Sequence, residues 1–356
     1  MKKYRIAVIP GDGIGPEVIK EGVNVLNHLS KKTKLFEFEF DYFPWGCEYY
    51  SIHGEMMPEN GIEILSLYDA ILLGAVGFPG VPDHVSLWGL LLKIRKSFNQ
   101  YINLRPIKSL NSSLSPLKSE HDTDIIFVRE NCEGEYAGSG AWLYKDTPNE
   151  VVIQNAVFSR FNTEKVMRFA FELAKKEGKK LTNISKANAL NYSMVFWDSI
   201  FEEFKLEYPM VKTESLLVDA ASMFLVTDPG RFEVVVTTNL FGDILTDLGA
   251  SLVGGLGLAA GANLNPERKF PSMFEPTHGS APQIANKGIA NPMAAIWSVS
   301  QMLDFFGYED QGALILQAMS NVIGKGTTLT KDIHGISSTS EVGEAIVKEI
   351  TSILEA

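Results

Sequence analysis

Cysteine is nearly absent from this chain. Cys47 and Cys132 are the two in 356 residues, too few for a disulfide framework, so a reduced, cytoplasmic setting is expected. Cys132 is expected to be a small buried thiol. Basic charge is also scarce: 32 Lys and Arg against 43 Asp and Glu leave a net charge of −11. Nucleic acid and anionic membranes both need a basic face, so neither is expected as a partner. No apolar run approaches the ~20 residues that span a bilayer. The opening MKKYRIAVIPGDG sets two lysines before apolar residues, as a signal peptide would. The run stops early at Pro-Gly-Asp-Gly, which predicts an opening strand instead. Internal repeats and low-complexity segments are missing too. The one Ser-rich stretch, SLNSSLSPLKSEHD (109–122), reads as a surface connection.

What is present is globular: 45% apolar and 21% charged residues. The length suits two domains or lobes better than one core. Strands and helices alternate along it. YRIAVIP predicts a strand, and PEVIKEGVNVLNHLSKK an amphipathic helix with Pro16 in its first turn. FEFEFDYF alternates with period two, as a strand with one exposed face does. DAILLGAVG, DIIFVRE and EVVVTTN are compact runs of the kind buried in an α/β sheet. NTEKVMRFAFELAKKEGKK has helical spacing and a glycine after its last turn.

Gly11, Gly13 and Gly15 follow a strand and open a helix, the right context for a dinucleotide fingerprint. Their G-x-G-x-G spacing and the following Pro16 do not match it, so a tight strand-to-helix turn is expected. The acidic residues say more. Asp243 and Asp247 stand at i and i+4, on one side of a predicted helix. Asp219 is a charge in the apolar segment SLLVDAASMFLV, and an ionised carboxylate is costly to bury without a partner. Three carboxylates with few histidines suit a hard divalent cation such as Mg2+ or Mn2+. Asp243 set for the helix dipole and Asp247 solvated is an equally simple alternative. Lys186, in NISKANALN, and Tyr136, in a predicted glycine-bearing loop, read singly as a surface and an interfacial residue. FEPTHGSAPQIANKGIANP (274–292) predicts a long structured loop, a common place for function.

Six ordered segments then carry a resemblance: IPGDGIGPEV, LLKIRKSFNQYINLRP, VRENCEGEYAG, SKANAL, TTNLFGDILTDLGASLVGGLGL and HGSAPQIANKGIANP. Together the chain resembles the metal-dependent β-decarboxylating dehydrogenases, the group of isopropylmalate and isocitrate dehydrogenases. The resemblance implies a two-lobed α/β fold that is not a Rossmann fold. A large cofactor-binding lobe would come from 1–98 and 254–356. A small lobe, 99–253, would carry metal ligands and the dimer interface. It also implies a homodimer with active sites shared between subunits, and NAD with Mn2+ or Mg2+ as cofactors, while K+ is left open.

By the same resemblance, Arg95, Arg105 and Arg129 would grip the malate part of a small dicarboxylic 2-hydroxy acid, as guanidinium forks grip carboxylates. Asp219, Asp243 and Asp247 would hold the metal, and Lys186 would take the hydroxyl proton. Asp219 and Lys186 would come from the second subunit. Tyr136 would protonate the enol carbon. Asn188, His278, Gly279, Ser280, Ala281 and Asn291 would contact the cofactor. Gln283 stands where relatives that use NAD commonly carry an Asp on the ribose diol. Trp88 and Leu91 fall where the group on C3 of the substrate is contacted. GVPDHVSLWGLLLKIR resembles the D-malate and tartrate branch, and an indole there would exclude isopropyl or carboxymethyl groups. D-malate with overlapping tartrate activity is therefore expected. An isopropylmalate dehydrogenase with an altered pocket is the alternative, and a packing role is the alternative for Trp88.

Overall fold

The computed structural model describes residues 1–117 and 123–356; residues 118–122, the end of the Ser-rich connection, lie outside the described residues. Among the described residues twelve strands occur in chain order: β1 Lys2–Gly11, β2 Phe36–Tyr42, β3 Ala70–Ala75, β4 Ile102–Lys108, β5 Asp124–Glu130, β6 Gly134–Leu143, β7 Val151–Val157, β8 Leu181–Ser185, β9 Thr213–Leu217, β10 Val234–Thr237, β11 Ala260–Leu264 and β12 Ser272–Pro276. The described chain divides into two compact units. The first contains 1–100, 108–117 and 250–356, and the second 101–107 and 123–249.

In the first unit the strand order is β2-β1-β3-β12-β11. The pairs of β1 with β2 and β3, and of β3 with β12, are parallel; β11 runs antiparallel to β12. β3 is buried along its whole length, as a continuous apolar run between helix layers should be. β2 buries Phe36 and Phe38 and exposes Glu39, the period-two pattern of its sequence. The turn after β1 is tight. Gly13 has φ +59°, and a Cβ there would lie 2.0 Å from the Ser280 carbonyl oxygen, so only glycine fits. Helix Gly15–Thr33 starts directly after it, with proline in its first turn. Helix Met293–Phe306 is buried continuously from Met293 to Leu303, and is the central helix of this unit. Helix Thr339–Glu355 begins with a capping box between Ser338 and Glu341.

In the second unit the order is β4-β5-β10-β8-β9, with β10 parallel to β5 and β8, and β8 parallel to β9. Phe127, Phe171, Trp197 and Phe201 are fully buried. The Trp197 indole N–H donates to Asn183 Oδ1 at 2.8 Å, which satisfies its polar atom inside the core. Helix Arg160–Glu177 begins before the segment NTEKVMRFAFELAKKEGKK, because Ser159 Oγ accepts from the Asn162 N–H as an N-cap. It ends at Gly178 in a left-handed conformation, as its sequence suggests. Strands β6 and β7 form a separate antiparallel hairpin. Tyr136 lies in β6 and not in a loop, because Gly134 is itself the first residue of that strand. Cys132 is half-buried, not buried, and Cys47 is buried; neither forms a disulfide. Among the described residues no helix is long and apolar enough to cross a membrane.

Candidate active site

Parallel strands expose the ends of their neighbouring strands at one edge, where ligands of α/β proteins commonly bind. In the second unit the register pairs Thr237 with Arg129 and Ser185 with Leu217. Residues at and just after these strand ends therefore meet in two pairs, Arg129 with Asn239 and Lys186 with Asp219. This is how residues over a hundred positions apart meet.

Arg129 is 2% exposed, and Asn239, at the start of helix Asn239–Leu252, is fully buried. Asn239 Oδ1 accepts from Arg129 Nε at 3.2 Å and Nη2 at 2.7 Å. Arg129 Nη1 lies 2.6 Å from Asp243 Oδ1, one helical turn further on. The helix comes this close through Gly242, where a Cβ would stand 2.6 Å from Arg129 Cγ. Tyr136 Oη donates to Asp243 Oδ2 at 3.2 Å, and the Arg129 guanidinium lies 5.8 Å from the Tyr136 ring centroid.

Arg105, on β4, joins the same group. Its Nε donates to Asn103 Oδ1 at 2.6 Å and its Nη1 to Thr246 Oγ1 at 2.7 Å. Its guanidinium also stands 3.4 Å from Asp243 and 3.8 Å from Asp247. Asp243 and Asp247 face one side of the helix, as their spacing requires. Asp243 is the fifth residue of that helix, beyond the first turn, so the simple dipole alternative does not hold for it. Burial raises the Asp247 carboxyl above its ordinary range, and the Asp243 charge adds to this while Arg105 and Arg129 oppose it. Two aspartates, two arginines and a tyrosine thus share one place.

Asp219 behaves differently from its sequence context. It opens helix Val218–Thr227, and its side chain is 65% exposed. The apolar segment around it forms the helix behind it and does not bury the charge. Lys186 donates to Asp219 Oδ1, and this bond holds the carboxyl below its ordinary range. Asn188 is exposed in the turn after Lys186. Among the described residues of one chain, no group of three or more His, Cys, Asp or Glu side chains is placed to hold a metal.

Glu130, next to Arg129, is 1% exposed. Its Oε1 accepts from the Cys132 and Glu133 N–H groups and from Asn162 Nδ2, while Oε2 is buried without a partner. Burial holds this carboxyl above its ordinary value of 4.5, against the pull of those donors. The folded state therefore keeps the proton to higher pH than the unfolded chain does. Stability should fall as pH rises from about 4.5 through the folded pKa, and then level off. Urea titrations at about pH 5 and about pH 8 test this against Glu130→Gln. The wild type should lose stability relative to the Gln variant at the higher pH; a constant gap would refute it.

In the first unit Arg95 is 4% exposed, and its Nη2 is 2.8 Å from Glu275 Oε1, which also accepts from Asn263 Nδ2 at 2.8 Å. Leu91 is half-buried, and Trp88 is 40% exposed. A cleft of about 470 Å3 is lined by Ile14, His278, Ile284, Ile289, Asn291 and Asp332, among others. The Gly11–Gly15 turn meets the 278–281 segment here, with the Ile14 N–H donating to the Ser280 carbonyl at 2.9 Å. Ala281 is left-handed, φ 42°, Gly279 has open space where a Cβ would be, and Ser280 is buried. His278 Nδ1 is 3.0 Å from the Gly279 carbonyl, and Nε2 is sealed from solvent without a partner. Burial lowers the His278 pKa, favouring a neutral ring. Asn291 Nδ2 donates to Asp332 at 3.0 Å. Gln283 is exposed, and Lys287 Nζ donates to its backbone carbonyl at 2.7 Å.

Asn239, Thr246, Asn103, Glu275 and Asp332 are not among the residues singled out from the sequence. Asn239 and Thr246 had a signal: they lie four before and three after Asp243, on the same helix face.

The whole-chain comparisons agree with one another. Residues 5–346 match the model of the isocitrate/isopropylmalate dehydrogenase family. A probable tartrate dehydrogenase/decarboxylase of Bacillus subtilis is 48% identical over 354 residues, covering 99% of each chain. The D-malate dehydrogenase [decarboxylating] of Escherichia coli K12 is 48% identical over 360 residues, covering 98% of this chain and 99% of its own. The crystal structure of isocitrate dehydrogenase from Methylococcus capsulatus superposes with a TM-score of 0.89 at 34% identity, over 98% of this chain and 99% of that one. A β-decarboxylating dehydrogenase from Thermococcus kodakarensis, in its apo form, gives 0.81 at 36% identity, over 99% and 97%. The fold is thus the α/β fold of isopropylmalate dehydrogenase, and the chain belongs to the isocitrate/isopropylmalate dehydrogenase family.

Proposed function

We propose that this chain oxidatively decarboxylates D-malate to pyruvate and CO2, using NAD and Mn2+ or Mg2+, with overlapping activity on tartrate. The observation that carries it is the gathering of Arg105, Arg129, Tyr136, Asp243 and Asp247. A carboxylate-binding protein has no use for the aspartates and tyrosine, and a metal-dependent hydrolase none for the 278–291 segment. The names borne by the B. subtilis and E. coli relatives support the substrate class.

Arg105 and Arg129 are pre-oriented by Asn103, Thr246 and Asn239 to hold substrate carboxylates, and Arg95 has the same assignment. Lys186 accepts the proton of the 2-hydroxyl, and Tyr136 delivers one to C3 after CO2 departs. NAD, when bound, would supply the acceptor for the hydride that leaves C2. The all-oxygen donor pair Asp243 and Asp247 fits a hard cation. When bound, such an ion withdraws electron density from the oxygen on C2 in both the oxidation and the decarboxylation. Its third carboxylate, Asp219, would come from a second copy of the chain, together with Lys186. Exposed apolar residues on the second unit support a homodimer: Trp142 and Val152 on the hairpin, and Val195, Met223 and Ile244 on helices.

The cleft lined by Ile14, Ile284 and Ile289 suits the flat apolar face of a nucleotide base, and Asn188 and the 278–291 segment are assigned to NAD. Lys287 Nζ donates to the Gln283 carbonyl, and NAD is assigned over NADP as the cofactor. The test is NADH formation, followed by ultraviolet absorbance, on D-malate, the tartrate isomers, isopropylmalate and isocitrate with Mn2+. D-malate should give the highest kcat/KM and tartrate a lesser one. Preference for isopropylmalate would establish the alternative, and a kcat/KM for NADP equal to that for NAD would overturn the cofactor assignment.

A further inference from the structure

Trp88 and Arg95 are seven residues apart, and at 3.6 residues per turn they would share a helix face. The helix is not regular there. Leu87–Leu91 forms a π turn, closed by the Leu92 N–H donating to the Leu87 carbonyl. A π turn adds one residue to its turn, so the register beyond it shifts by one position. The eighth residue after Trp88 then comes beneath the indole, not the seventh. Lys96 Nζ lies 4.3 Å from the Trp88 ring centroid, while Arg95 is turned inward onto Glu275. The segment is anchored by Leu90, Ile94 and Phe98, each at most 1% exposed, which form one stripe in the core of this unit. The backbone is thus fixed on the core side, whereas the indole is 40% exposed, so burial alone does not select its rotamer. A cation over the ring face supplies that selection.

We propose that Lys96 is a positioning residue: through the π turn it holds the Trp88 indole in the orientation that limits the C3 substituent of the substrate. This rests on the specificity role proposed for Trp88. Without the cation the ring swings, the close fit to D-malate weakens, and bulkier C3 groups are rejected less. Lys96 touches no reacting atom in this assignment, so its effect should fall on KM and on selectivity more than on kcat.

The experiment compares kcat and KM for D-malate and isopropylmalate in the wild type, Lys96→Met, Lys96→Arg, Trp88→Ala and the Trp88→Ala/Lys96→Met double variant. Lys96→Met should raise KM for D-malate about two- to fivefold, as loss of one exposed cation–π contact would. The kcat/KM ratio of isopropylmalate to D-malate should rise with it. Lys96→Arg should restore both values, because a guanidinium also stacks on an indole. In the Trp88→Ala background Lys96→Met should change nothing further. An unchanged ratio in Lys96→Met, or an equal effect with Trp88 absent, overturns the role of Lys96 while that of Trp88 stands if Trp88→Ala alone shifts the ratio. An unchanged ratio in Trp88→Ala removes the specificity role of Trp88 itself, and the role of Lys96 with it.

Discussion

Asp243→Asn is expected to abolish turnover while the protein stays folded. Asp243 is the carboxylate on which the cluster turns: Arg129, Tyr136 and Arg105 all approach it. Asparagine keeps the shape and an oxygen that can still accept from Arg129 or Tyr136. It removes the negative charge that a divalent cation needs from its ligands. Arg129 is buried, but it keeps both of its hydrogen bonds to Asn239, so the variant should lose some stability without unfolding. Loss of the metal-dependent charge stabilisation should cost at least about a hundredfold in kcat. Turnover and urea midpoint, measured on the same preparation, separate the two. Near-normal activity in this variant with saturating Mn2+ would remove Asp243 from the metal site.

Lys186→Met should lower kcat by about 10²- to 10⁴-fold, the usual contribution of a positioned general base. Its more informative use is in combination. If Lys186 and Asp243 of one active site belong to different copies, a dimer pairing an Asp243→Asn chain with a Lys186→Met chain has one doubly defective site and one intact site. Mixing the two inactive variants under conditions that exchange subunits should then recover activity. Statistical exchange makes half of the dimers mixed, each with one of its two sites intact, so about a quarter of wild-type activity should return. If the mixture stays inactive although tagged chains demonstrate exchange, the two residues do not serve a shared site. The same experiment probes the exposed apolar surface around Val195, Met223 and Ile244, since recovery requires subunits that associate.

The α/β class was legible because the strands are either fully apolar, like Ala70–Ala75, or strictly alternating, like Phe36–Tyr42. The turn at Gly11–Gly15 was legible for a similar reason, since only glycine tolerates the close approach of the Ser280 carbonyl. Helix spacing placed Asp243 beside Asp247 correctly. What spacing could not convey was the register between parallel strands, which brings Arg129 to Asn239 and Lys186 to Asp219. Asp219 misled because an apolar neighbourhood in sequence became one face of a short helix, with the carboxylate on the other. Tyr136 misled because its glycines begin a strand instead of a loop. The π turn at Leu87–Leu91 has no signature in the composition of that apolar run, so the pairing of Lys96 with Trp88 could not be read from a heptad count.

The most direct measurement is the product balance from D-malate. With NAD and Mn2+ the wild-type protein should form NADH, pyruvate and CO2 in equal amounts, and Asp243→Asn should form none of them. Oxidation of isopropylmalate with no NADH from D-malate, or equal product formation by the Asp243→Asn protein, would contradict the proposed function.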